Sequence, residues 1–225
     1  DKASGEFDGV VVEDKVANGF SAGKLNLAAE SKGMVITNDK NVTLGGSAGG
    51  ELITVDGRTA DIKVVVGTDS VVNGADKQTG SFTIGNRLAT SDTEYTLTGS
   101  VTVNNDSALN VNGKTTITSG VELKGGSVNV DNGTLVSDIT AKEETSTITG
   151  AAQVGTLTGA AGAVINVGNA DKAGNVTVKE TALNGATVFL DPAWKDGVEI
   201  EGASKMAVEG TDVDGNYVVG QNSVM

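Results

Sequence analysis

Short apolar–polar–apolar triplets recur along this chain at two nested spacings, and few folds accommodate both. Between Tyr95 and Val136 they are Tyr95-Thr96-Leu97, Val101-Thr102-Val103, Leu109-Asn110-Val111, Thr115-Thr116-Ile117, Val121-Glu122-Leu123 and Val128-Asn129-Val130, followed by Leu135-Val136. Their starts lie 6 to 8 residues apart, separated mostly by Gly, Asn, Asp and Ser. Alternation of this kind puts the outer two side chains on one face of a strand and the middle one on the other. No apolar stripe of helical period appears, so the chain reads as all-β.

The longer spacing separates the β folds. Tyr95 and Thr115, Val101 and Val121, and Thr115 and Leu135 are each 20 residues apart, and Leu109 and Val128 are 19 apart. The same interval takes Val42 to Ile62, Ile62 to Phe82 and, one short, Phe82 to Val101. It also takes Val178 to Val198 and Val188 to Val208. Three short strands and three turns fill about 20 residues, one coil of a three-sided solenoid. The expectation is a right-handed parallel β-helix of three sides, with the hand set by the crossover rule. Sandwiches and up-and-down barrels use longer strands with turn signals further apart. Asn112-Gly113, Asn132-Gly133 and Asn184-Gly185 could close hairpins, but the strands beside them are too short; at solenoid corners they supply residues tolerant of positive φ.

Composition agrees. With 32 Gly, 1 Pro and 3% aromatic residues, the 225-residue chain is built for a narrow aliphatic column rather than a broad core. Stretches that break the register are expected to bulge outward as loops: Gly67 to Gly80, Asn86 to Glu94, Lys142 to Ser146, Gly168 to Gly174 and Asp191 to Gly197. The last holds the only Pro (Pro192) and the only Trp (Trp194). No linker is visible, so residues 1–225 read as one continuous solenoid segment. Val218 to Met225 looks like the start of another rung, as in a fragment of a longer protein.

Charge and residue usage narrow the function. A net charge of −13 argues against nucleic acid and against an anionic lipid surface as partners, since both call for clustered cations. With no Cys there is no disulfide framework, and with no His there is no Ser-His-Asp triad. No apolar run is long enough for a membrane helix.

Leu123 to Leu135, Ser146-Thr147-Ile148-Thr149-Gly150 and Thr156-Leu157-Thr158-Gly159 share a cadence that resembles the passenger regions of bacterial autotransporters, and more loosely the exoproteins of two-partner secretion. The resemblance covers the chain from about Asn41 onward and is one of style. It implies export through an outer-membrane translocator barrel, an extracellular or cell-surface location, and an adhesin or its stalk. Partners would be a host-surface, extracellular-matrix or glycan ligand, or further copies of the protein.

Candidate chemistry is sparse. Asp and Glu are scattered one per turn rather than gathered, so the carboxylate site of a carbohydrate-active β-helix enzyme is the alternative reading, not the first. Asp212-Val213-Asp214-Gly215-Asn216 opens like a calcium loop, but Tyr217 stands where the loop needs Gly. Thr96/Thr98 and Thr116/Thr118 would stack as a Thr ladder that Val136 and Asp138 interrupt; Thr147/Thr149 and Thr156/Thr158 repeat the pattern elsewhere. Trp194 reads as packing on a flank of the coil. Asn41, Asn105, Asn132 and Asn175 begin Asn-x-Ser/Thr sequences and read as turn formers. No catalytic, cofactor-binding or metal-binding residue is assigned, and no cofactor is expected. Within the triplets, Val103 and Val130 are expected inward, Thr102 and Asn129 outward.

Overall fold

Val, Ile, Thr and Leu at alternate positions favour extended backbone, and Gly and Asp allow the chain to turn between such runs. The computed structural model bears this out. It describes residues 10–12, 19–31, 33–37, 39–68, 78–85, 90–168, 176–183, 186–190, 198–200 and 217–219. The described residues contain strands and turns and no helix. Among the described residues nineteen strands join one hydrogen-bonded sheet, two more form a separate pair, and every strand pair is parallel. Antiparallel contacts among the described residues are isolated bridges, such as Thr68 with Gln78.

The pairs fall into three series. The first runs through Val10–Val12, Gly33–Ile36, Ile62–Val66, Gly99–Asn104 and Val121–Lys124, then through 139–141 and 157–159. A second passes from Gly19–Ala22 to Lys40–Leu44 and Gly80–Ile84, then to 108–111, 127–130, Thr145–Thr149, Val164–Val167 and Thr187–Leu190. The third joins Gly50–Glu51, Glu94–Leu97, 114–117, 134–136, 152–154, 177–178, Val198–Ile200 and Tyr217–Val219. The chain visits the series in rotation, so the sheet curls on itself. This geometry is compatible with a β-solenoid.

The inward side chains make the core. Val64, Val101, Val121 and Ile139 stack in the first series, Phe82, Leu109, Val128 and Ile148 in the second, and Tyr95, Leu97, Leu135 and Ala152 contribute from the third; all are buried. Each fully buried aliphatic side chain contributes about 1.5–3 kcal/mol through removal from water. Tyr95 is the large exception in this column. Its hydroxyl donates to the Gly46 carbonyl at 2.9 Å, and its ring fits only because Gly45 and Gly113 carry no Cβ: one added at either would lie 2.7 or 2.8 Å from ring carbons. The Asn-Gly corners do take positive φ, +93° at Gly113 and +128° at Gly133. Gly133 is doubly constrained, since a Cβ there would fall 2.3 Å from the Gly113 oxygen.

Several registers read from the sequence hold. Tyr95 lies beside Thr115, Thr115 beside Leu135, Val101 beside Val121 and Leu109 beside Val128. Others do not. Val42 pairs with Phe82 rather than Ile62, Ile62 pairs with Gly99 rather than Phe82, and Phe82 pairs with Leu109 rather than Val101. One long pass separates Val42 from Phe82, where two short ones were expected. The extra length lies in 45–61, which adds the strand Ile53–Val55, and in the segment bracketed by the Thr68–Gln78 bridge. Inward Val and Ile occur in all three series, so a spacing of 20 can link residues of different series. Further on, Val178 pairs with Ile200, not Val198; Val208 lies outside the described residues.

The expected loops are partly visible. Lys142 to Ser146 is a tight turn that enters the strand Thr145–Thr149, not a long bulge. Most of Gly67 to Gly80 and Gly168 to Gly174, the first four residues of Asn86 to Glu94 and all of Asp191 to Gly197 lie outside the described residues.

Candidate interaction faces

With inward positions filled by aliphatic side chains, chemistry is left to the outward ones, and parallel stacking sets these in rows. Outward from the first series runs the row Val65, Thr102, Glu122, Thr140 and Thr158. Beside it lies an open trough of about 550 Å³, lined by Lys63, Ser100, Thr102, Glu122, Asp138 and Thr156 among others. Thr102 points outward as expected but is only 6% exposed, because it sits on the floor of this trough between neighbouring rungs. It therefore does not belong with the freely solvated positions.

The trough's carboxylates are occupied with structural partners. Glu122 lies 3.2 Å from the Lys124 ammonium and 3.6 Å from that of Lys142. Asp138 accepts a 2.8 Å hydrogen bond from the Thr156 backbone N–H. Nearby, Asp61 accepts from the Ser119 hydroxyl at 3.2 Å. Among the described residues no group of three or more Asp, Glu, His or Cys side chains converges in a way that could hold a metal ion. Such a surface offers hydroxyls and mixed charge to a ligand.

The second series presents a different face. Asn129 Nδ2 donates to Asn110 Oδ1 at 3.0 Å, and Thr149 Oγ1 donates to Asn129 Oδ1 at 3.2 Å. Two passes earlier, Thr83 and Ser81 both donate to Asn41 Oδ1, at 3.1 and 3.0 Å. Thr83, Asn110 and Asn129 stand in one row and Ser81, Ala108, Ser127 and Thr147 in the next. Apart from Lys40, no strand of this series carries an ionisable residue. The two other series carry several on their strands, including Lys63, Glu122 and Lys124, and Glu51, Glu94 and Lys114.

No known protein family, curated protein or solved structure matches this chain. What it does must be read from its own surfaces.

On the third face Thr96 stacks on Thr116 and Val136 follows, so the Thr ladder stops where the sequence placed its end; on its other side stands Glu51. Thr98 and Thr118 are drawn into corner bonds, Thr98 with the Glu51 carboxylate at 3.1 and 3.2 Å and Thr118 accepting from the Gly99 N–H at 3.0 Å. Lys114 bonds Glu94 across adjacent rungs at 2.7 Å. That hydrogen bond, with the attraction between the charges, lowers the Glu94 pKa and raises that of Lys114. Asn41 lies on the polar face, Asn105 in a turn and Asn132 at an exposed corner. Trp194, Asp212 to Asn216, Asn175 and the Asn184-Gly185 corner are outside the described residues. Sequence reasoning missed the trough and the uncharged face. The signal for both was the outward residue of each triplet, which becomes readable only once the register is known.

Proposed function

We propose that this chain is a right-handed, three-sided parallel β-helix of about 20 residues per coil, and a non-catalytic structural and adhesive segment of a secreted bacterial surface protein of the autotransporter passenger kind. The observation that carries this reading is the rotation of the chain through three parallel strand series around an aliphatic column, with polar rows displayed outside. A stack of this type is a stiff rod, and its rows repeat one chemical contact many times, which suits adhesion through cumulative weak bonds. The cadence shared with autotransporter passengers supports an extracellular location, export through an outer-membrane barrel, and a host-surface, matrix or glycan ligand. The acidic surface, at −13, suits a soluble exterior and disfavours nucleic acid.

One feature favours a second reading. Lys63, Glu122 and Asp138 share a trough, as a polysaccharide lyase or glycosidase would require. A single experiment separates the two: matrix proteins and neutral and acidic glycans are tested for binding while the same glycans are assayed for new reducing ends or unsaturated products. Binding without products is the expected result. Glycan cleavage abolished by Asp138→Asn would replace the adhesive reading with the enzymatic one.

A further inference from the structure

We propose that the uncharged face of the second strand series is a homotypic contact, and that its partner is a second copy of this chain laid against it face to face. The inference rests on the rod-like reading above and names the partner.

Charge points first to this face. Two copies at −13 each repel one another, and at physiological salt the repulsion reaches about 8 Å from each charge. Across Gly80–Ile84, 108–111, 127–130, Thr145–Thr149 and Val164–Val167 the strands bear no ionisable side chain. Here two copies meet without desolvating an ion or opposing like charges.

The chemistry of the face is also self-complementary. Amides and hydroxyls both donate and accept, so a surface built from them can satisfy its own image, which a surface of one charge sign cannot. The internal ladder leaves capacity for this. Asn110 accepts from Asn129 through its oxygen, while its amide nitrogen donates to no described residue. Pitch supplies the third reason. Rungs repeat at about 4.8 Å, and a second copy is the partner certain to repeat at the same interval, so a contact made at one rung recurs at the next.

Size sets the strength. Five strands about 4.8 Å apart and about four residues wide cover roughly 320 Å², under half of the roughly 800 Å² per partner found in stable complexes. One such segment therefore associates weakly, and longer arrays add contacts rung by rung. Neutral polysaccharide is the less favoured occupant, because from Gly80–Ile84 to Val164–Val167 the outward rows of this face hold no aromatic residue on which a sugar could stack.

Sedimentation velocity over a concentration series tests the proposal, at low and at high sodium chloride. The weight-average mass is expected to climb from the monomer toward twice that value, and to climb more at high salt, where repulsion is screened. Association through ion pairs would respond in the opposite direction. Ala108→Glu with Thr147→Glu places carboxylates opposite their own images and should return the chain to monomer with an unchanged circular dichroism melt. Thr116→Glu, on another face, should leave association intact. A wild-type chain that stays monomeric at high salt overturns the proposal. So does association that survives A108E/T147E, or a monomer that binds soluble dextran through this face. Scattering of the dilute monomer reports separately on the rod: a globular profile sinks the solenoid reading, whatever the association shows.

Discussion

Replacing Val130 with Asp measures how strictly the inward column excludes charge. Val130 is 1% exposed and lies beside Val111 in the second series. An aspartate there has no cation beside it on its own strand or on the strand of Val111, so the folded state holds it protonated and its pKa rises well above the unfolded value. Protonating a carboxyl of ordinary pKa near 3.9 at pH 7 costs about 4 kcal/mol at about 1.36 kcal/mol per unit. Loss of the buried isopropyl group adds about 1–2 kcal/mol. The sign of the pH dependence follows. A raised folded pKa leaves the protein least penalised below about pH 3.9 and increasingly penalised as pH rises. Between pH 7 and pH 5 the variant should therefore regain about 2.7 kcal/mol relative to wild type. Urea titrations followed by circular dichroism, with wild type measured at each pH, give the difference directly. Val130→Asn, equally polar but without a proton to bind, should show no such recovery, and Asn129→Asp on the outer face should cost far less. A Val130→Asp protein as stable as wild type at pH 7, or one whose deficit is the same at both pH values, would refute the placement of this residue.

Two further outcomes are expected. Thr115 is fully buried between Tyr95 and Leu135, and its hydroxyl has no hydrogen-bond partner; Thr115→Val should stabilise the chain by about 1 kcal/mol, read from the urea midpoint. Tyr95→Phe leaves the Gly46 carbonyl without its donor and should cost about 1 kcal/mol at pH 7. Burial raises the Tyr95 pKa above 10.0, so the native protein should lose stability as pH climbs past that value, and the Phe variant should lack that component of the loss.

The regular part of the fold was legible because its turns are short and nearly constant. From Tyr95 to Val130 each pass covers 19 or 20 residues, so distance along the chain tracks distance along the stack. Upstream this fails. Val42 reaches Phe82 in one pass of 40 residues, and spacing cannot tell one lengthened pass from two short ones. Thr102 was read correctly as outward, but its burial was not legible, since its exposure depends on rungs contributed by other parts of the chain.

Local chemistry therefore decided that this molecule is all strand: alternation fixes which side of a strand each residue takes, and Gly and Asp fix where the strand stops. Those preferences act over a few neighbouring residues and need no partner. Which outward residues become neighbours is a non-local fact, settled when whole passes stack and loop lengths shift the register. Asn110 reaching Asn129, Lys63 sharing a trough with Asp138, and a face of the acidic chain left without charge all belong to that second level.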